Sequence, residues 1–361
     1  MLNTDIIHAL ARHLDCNFAR LKCLSLLISA VLRHRTVNLC ILATTPDAKN
    51  CSNQSRYRRF QDFFLRFSLC LDSVSKCILA RIPKPPEGFT LAMDRTNWQF
   101  GRRDINYLVI SIIVGKVSIP IVWTVLPAKT KRGNSNASQR IALAGKLLKH
   151  IPAGDIHVLT MDREFHGKQW LSWLDEMDVA YVLRIKKNII VGSRLAGEHA
   201  TARGRKPSLR QRVFGSELFF GSKKVNQGGR SSHLMVVSNR FKATEAMALY
   251  KRRWGIERLF GHLKKKGFDL EATHMTDGGK LEKLFAIVTL AFTYSYAWGA
   301  HLRSQNSQPN AALERKSLFR LGMEDILNMI QPSENDPLHS NRRKNFLRWL
   351  AHEPFNSIFL V

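Results

Sequence analysis

Four residues between positions 250 and 264 stand at a spacing that suits chemistry. Tyr250, Arg253, Glu257 and Lys264 lie at offsets 0, 3, 7 and 14. At about 100° per residue of an α-helix, those offsets fall within roughly 60° of one another. One carboxylate thus shares a face with two cations and a phenol, a set suited to a metal ion and a nucleic-acid phosphate. Two further carboxylates, Asp94 and Asp162, each follow a short apolar run, at 89–93 and 156–161. In an open α/β sheet, ligands bind at the C-terminal ends of the strands. If the two strands are parallel neighbours joined by a right-handed crossover, their aspartates sit side by side. Close carboxylates repel, and a hard divalent cation such as Mg2+ relieves the repulsion while leaving positions for phosphate oxygens and water. A lone aspartate after a strand is more often a turn or cap residue. Two at equivalent strand ends, with Glu257 added, favour the chemical reading. Asp104, Asp155 and Glu164 read as turn and cap acids.

These groups need a helix and a sheet to hold them. The pattern predicts one long helix from 244 to 266, stopping before Gly267. Leu249, Ile256, Leu259, Phe260 and Leu263 form its core stripe, and Lys251, Arg258, His262 and Lys265 an exposed basic face. Gly261 falls on the reactive face, where a missing side chain would let a backbone or metal approach. Strands are predicted at 89–93, 105–114 and 117–126, the last two joined by a turn at Gly115-Lys116. A helix at 136–150, a strand at 156–161, a helix at 167–177 and a strand at 180–185 complete a mixed α/β sheet.

Residues 187–232 are basic and rich in Gly and Ser, with short strand-like runs such as 212–220. They read as a mostly β insertion, because a structureless loop of that length inside a compact domain is uncommon. Residues 233–237 return to an apolar strand. Residues 1–80 read as helices, with Leu21, Leu24, Leu27, Ile28, Val31 and Leu32 at helical spacing and a second periodic stretch at 57–67. Arg56, Arg58 and Arg59 at the start of that stretch suit a solvated face or a phosphate-contacting one equally. Pro83, Pro85 and Pro86 mark a linker. A helix is expected at 279–302, and shorter ones at 318–330 and 343–351. The chain divides on this reading into a helical DNA-binding region (1–86), the first part of a catalytic core (87–186), the basic β-rich insertion (187–232), the second part of the core (233–303) and a helical C-terminal region (304–361).

The chain has 56 Lys and Arg against 28 Asp and Glu, a formal net charge of +28. That surplus predicts a polyanionic partner, most simply nucleic acid, bound in a strongly salt-dependent way. The charge is unevenly placed: residues 181–240 carry 13 basic and 2 acidic residues, and 91–180 carry 12 and 8. The six cysteines all lie in the first 80 residues without a C-x-x-C pair, which favours packed free thiols over a zinc site. The N-terminus lacks a signal-peptide layout. The longest apolar stretches, 105–126 and 284–298, are interrupted or short for a membrane span. A soluble cytoplasmic protein with no membrane partner is expected.

The motif Y-(2)-R-(3)-E-(6)-K, met by Tyr250, Arg253, Glu257 and Lys264, resembles that of the family-four insertion-sequence transposases, within the DDE transposase superfamily. Met93-Asp94-Arg95-Thr96-Asn97-Trp98 resembles the first aspartate block, and Met161-Asp162-Arg163-Glu164-Phe165 the second. The resemblance covers about residues 88–300. It implies a ribonuclease-H-like mixed sheet core with a β-rich insertion and flanking helical regions. It also implies cut-and-paste movement of a DNA element by a homodimer bridging two terminal inverted repeats, on the bacterial nucleoid. Asp94, Asp162 and Glu257 would hold two Mg2+ or Mn2+ ions for in-line phosphoryl transfer. Tyr250, Arg253 and Lys264 would grip phosphates near the scissile bond. Some relatives stack an insertion tryptophan on a flipped base. Residues 181–240 contain no tryptophan; Phe214, Phe219 or Phe220 could substitute or be core, Trp98 could touch DNA or pack, and Trp170, Trp173 and Trp254 suit core or helix-face positions. Two other readings are a DNA-binding regulator that no longer cuts, and a metal-dependent nuclease of the same fold that does not join strands. The three acids argue against the first.

Overall fold

The β-branched runs pair into one mixed sheet. A computed structural model describes residues 2–46, 51–127, 134–201, 210–227, 230–305, 315–330 and 337–351. The chain forms two compact units, one of Lys84–Asn97 and Asn106–Arg258, the other of Met1–Pro83, Trp98–Ile105 and Leu259–Val361.

The first unit is built on an eight-stranded sheet. In chain order its strands are β1 (Phe89–Phe100), β2 (Arg103–Val114), β3 (Val117–Val125), β4 (Ile156–Met161), β5 (Tyr181–Arg184), β8 (Gln211–Val213), β9 (Ser216–Gln227) and β10 (Arg230–Ser238). A separate small hairpin, β6 (Ile190–Val191) and β7 (Arg194–Leu195), lies between β5 and β8. The spatial order is β3-β2-β1-β4-β5-β10-β9-β8. β1, β4 and β5 run parallel, and the pairings β2–β3, β5–β10, β10–β9 and β9–β8 are antiparallel. With its flanking helices this is the mixed α/β, ribonuclease-H-like class expected from the sequence.

Two stretches of the sheet differ from the sequence reading. β1 runs on to Phe100 rather than ending at Met93. Thr96 and Trp98 are buried between exposed Asn97 and Gln99, so the period of two continues past the apolar run. The run 212–220 is two strands, because Phe214 and Gly215 take positive φ (54° and 91°) and turn the chain between Val213 and Ser216. β8 and β9 then continue the core sheet through β10. Pro120 is tolerated in β3 because that strand forms the sheet edge and its pairing with β2 shifts register beside Ser111.

Helices α6 (Ala137–Leu148) and α7 (Lys168–Glu176) fill the two crossovers that make β1, β4 and β5 parallel. Asn136 and Gln139 close a reciprocal capping box at the start of α6. Helix α9 (Ala243–Arg252) lays Ala246, Met247, Leu249 and Tyr250 against Val158, Val182 and Val236 of the sheet. The short α8 (Ala196–Thr201) follows β7.

The second unit is helical. It contains α1 (Leu2–Ala11), α2 (Phe18–His34), α3 (Leu39–Leu42), α4 (Asn53–Arg66), α5 (Leu71–Leu79), α11 (Gly278–Gln305) and the C-terminal helices Leu318–Ile330 and Pro337–Ala351. From Leu284 to Ala300 every residue of α11 is buried, so this helix forms the unit's core. Among the described residues no helix is long and apolar enough to cross a membrane. Arg56 is buried and donates to the backbone carbonyls of Ala43 (2.8 Å) and Cys51 (2.5 Å), so it serves the fold and is neither a solvated nor a phosphate-facing group. Arg58 remains exposed. The six cysteines are free, but only Cys23 and Cys77 are buried.

Candidate active site

The parallel ladder between β1 and β4 ends at the pair Met93↔Met161. The next residues are Asp94 and Asp162. β4 pairs in parallel with β5 up to Met161↔Leu183, and the next residue there is Arg184. Three adjacent strands thus present two carboxylates and a guanidinium at one edge, as the strand-end rule requires.

Helix α9 delivers Tyr250. Its ring belongs to the hydrophobic cluster on the sheet, and its hydroxyl donates to Asp162 Oδ1 at 3.0 Å. Arg184 lies 3.5 Å from the same oxygen. The expected continuous helix breaks immediately beyond Tyr250: α9 ends at Arg252 and α10 spans Trp254–Leu263. At the junction the N–H of Arg253 donates to Tyr250 O, and the N–H of Ile256 to Arg253 O, three-residue bonds in place of four. Gly255 explains the local packing. A Cβ there would meet the carbonyl of Val117 at 3.0 Å, so α10 begins pressed on the start of β3.

The break turns Arg253 inward. Its side chain is 7% exposed, and it bonds Asp94 Oδ2 at 2.7 Å and Glu257 Oε1. Its Nε donates to the Tyr250 hydroxyl at 3.2 Å. One arginine therefore reaches all three acids, two directly and Asp162 through Tyr250. Burial alone would lower the Arg253 pKa, but Tyr250, Asp94, Asp162 and Glu257 hold it above its ordinary value. Burial pushes the Asp94 carboxyl up to about 6, against the pull of Arg253 and of the Arg95 N–H. Asp162 is lowered: burial opposes its charge, but the Arg163 N–H, Arg253, Arg184 and Tyr250 outweigh it. Burial also pushes Tyr250 up to about 12, so it stays a proton donor.

The structure brings Asp94, Asp162, Glu257, Tyr250 and Arg253 together within one unit. Lys264 belongs to the other unit, in the turns after α10, where its ammonium pairs with Glu271 at 3.0 Å and lies 5.8 Å over the Trp98 ring. Gly261 is not a close-approach point, since a Cβ there would meet only the Lys266 side chain at 3.7 Å. Trp254 is 54% exposed beside Arg253. Phe220 is core, Phe219 lies under Arg210, and Phe214 stacks on His166.

Sequence reasoning placed Glu164 among the turn acids and did not single out Arg95 or Arg184. Glu164 instead takes a two-pronged bond from Arg95, at 2.6 Å on each oxygen. The available signal was Arg95 directly after Asp94 and Glu164 two positions after Asp162, while nothing local to Asp162 marked Arg184. Asp155 and Asp104 bond Lys84 and Gln99.

As a metal site the donor set is chemically apt, being three carboxylates of hard oxygens. The raised Asp94 pKa marks a place where the carboxylate charge is under-compensated. Among the described residues, however, no three His, Cys, Asp or Glu side chains are gathered to enclose an ion. Arg253 occupies Asp94 Oδ2 and Glu257 Oε1, one oxygen of each carboxylate, and an ion there would compete with it for them.

Residues 81–294, more than half of the chain, match the family model described as a transposase DDE domain. No curated protein matches the chain. The matched segment includes both aspartates, the acid-bearing helix and the sheet that aligns them, and the chain belongs to the transposase DDE-domain family, enzymes that act on DNA and generally use divalent metals.

Proposed function

We propose that the chain is the transposase of a family-four insertion sequence, excising the element from DNA and joining it to a target. The observation carrying this is the convergence of Asp94, Asp162, Glu257, Tyr250 and Arg253 on the edge where the pairing of β1 with β4 ends. In this reading Asp94, Asp162 and Glu257 hold two Mg2+ or Mn2+ ions. Bound there, the ions supply charge neutralisation at the scissile phosphate and a lowered pKa for the attacking water.

The chain's own residues do the rest. Arg253 exchanges a carboxylate partner for a phosphate oxygen as DNA arrives, so its charge follows the charge that needs it. Tyr250 and Arg184 fix the orientation of Asp162. Lys264, released from Glu271, is a phosphate contact. In the first step water attacks the phosphodiester at an element end. The bond to the leaving 3′ oxygen breaks, and that oxygen takes a proton to become a free hydroxyl. In the next step this hydroxyl attacks a phosphodiester of the opposite strand or of target DNA and displaces another 3′ oxygen. Trp254, exposed beside Arg253, is better placed to stack on an unpaired base than any phenylalanine of the β8–β10 segment. The working form is a homodimer bridging two terminal inverted repeats on the nucleoid.

The test uses a plasmid carrying the element ends. Asp94→Ala, Asp162→Ala and Glu257→Ala each abolish cleavage and strand transfer while binding to the ends persists in a gel shift. Excision by the purified Glu257→Ala protein would overturn the assignment.

A further inference from the structure

We infer that Arg95 and Glu164 form a clasp that sets the separation of Asp94 and Asp162, and that both are positioning residues. The inference rests on the metal-site reading of those aspartates. Backbone pairing between β1 and β4 stops at Met93↔Met161, one residue before each aspartate. Beyond that point no ladder bond fixes how far the two carboxylates stand apart. Arg253 and Tyr250 bridge the two aspartates from the helices, and the direct link between the segments that leave the ladder is the Arg95–Glu164 pair, with Nε on Oε1 and Nη2 on Oε2, both at 2.6 Å. The side chains are 13% and 23% exposed, so solvent screens the pair only in part. Forked guanidinium–carboxylate bonds fix direction as well as distance.

Each end of the clasp is tied to an aspartate or to the scaffold. The Arg95 N–H donates to Asp94 Oδ1 at 2.8 Å. The carbonyl of Glu164 accepts from Arg140 Nη2 at 3.1 Å. Arg140, buried and lying over the Phe165 ring, also donates to His166 O (2.9 Å), Ser135 Oγ (2.9 Å) and Ser135 O (2.5 Å). Glu164 is therefore anchored to α6 through Arg140, and Arg95 is strapped to that anchor. Both Glu164 oxygens are engaged by Arg95, which leaves Glu164 a tether rather than a ligand in this arrangement.

The test is a double-mutant cycle on the full chain without DNA, reading Mn2+ affinity from the electron paramagnetic resonance signal of the free ion. Arg95→Gln and Glu164→Gln each weaken Mn2+ binding at least tenfold, and the double variant loses no more than either single one, because both remove one device. Arg95→Lys keeps the charge but loses the fork, and behaves like Arg95→Gln. Glu164→Asp keeps the charge and shortens the reach. It serves as the second probe if circular dichroism shows Glu164→Gln unfolded, with the same tenfold loss expected. Unchanged affinity with only a lowered melting temperature overturns the clasp, as do independent losses that multiply in the double variant. Asp94→Ala is the control: if it binds Mn2+ like the wild type, the metal-site reading itself falls.

Discussion

Replacing Arg253 by Gln isolates the resident cation of the acid cluster. The guanidinium bonds an Asp94 side chain that is 18% exposed and a Glu257 side chain that is 34% exposed. Removing one partner of a buried pair costs roughly 3–5 kcal/mol when the other charge stays stranded. Glu257 is exposed enough for water to take over most of its share. Asp94 has another escape, which is to take a proton. Its carboxyl is pushed up to about 6, so protonating it at pH 8 costs about 3 kcal/mol. That cost is the ceiling on the Asp94 loss, and it vanishes at and below pH 6. Arg253→Gln therefore destabilises the metal-free protein by up to about 3 kcal/mol at pH 8 and by under about 1 kcal/mol at pH 5.5. At roughly 2–4 °C per kcal/mol for a domain of this size, the melting transition of the sheet unit drops by up to about 6–12 °C at pH 8.

The assay is thermal melting of both proteins from pH 5.5 to 8, with chelator and then with Mg2+. The metal should narrow the gap at pH 8, because an ion takes over the charge that Arg253 balanced. A loss of stability independent of pH would refute the reasoning, since it would mean that Arg253 acts by packing rather than by charge.

Three other outcomes follow from the same geometry. The folded Asp94 pKa lies above its unfolded value near about 4, so its contribution is fully present below about pH 4 and is lost as pH rises through about 6. Asp94→Asn should accordingly melt higher than the metal-free wild type at pH 8, by up to about 3 kcal/mol, with no advantage at pH 4; equal melting at both ends of that range would contradict the burial argument. Trp254→Ala should leave folding within about 0.5 kcal/mol, since the ring is exposed. It should slow the step after first-strand cleavage by about tenfold or more, the worth of one base–aromatic stack at about 1–3 kcal/mol, read by time courses on nicked end substrates; an unchanged second step would remove the stacking role. Glu271→Gln removes the carboxylate that competes for Lys264 at 3.0 Å, and end binding should tighten with its salt slope unchanged, because the phosphate contact is the same in both proteins. Lys264→Ala should weaken end binding and flatten the slope by about one unit, and a wild-type slope in that variant would exclude Lys264 as a phosphate contact.

Local pattern carried much of the sheet and two of the acids. β4 occupies the residues its apolar run marks, 156–161, and Asn136 with Gln139 caps α6 as a reciprocal box. What local pattern missed depends on contacts distant along the chain. Glu164 looks like a turn acid until the fold brings Arg95, 69 positions earlier, within 2.6 Å. The helix break at Arg253 is a sharper case. Helical periodicity runs through 244–266 without interruption, and an unbroken helix would bond the Arg253 N–H to Leu249. It bonds Tyr250 instead, while Gly255 meets Val117, a residue more than a hundred positions earlier. An angular wheel at 100° per residue cannot include that contact. It placed Lys264 on the same face as Glu257, although Lys264 lies beyond the end of α10 and pairs with Glu271. The spacing of Tyr250, Arg253 and Glu257 thus marks the junction of two helices, and the tightened turn there is what aims one guanidinium at Asp94 and Glu257 together.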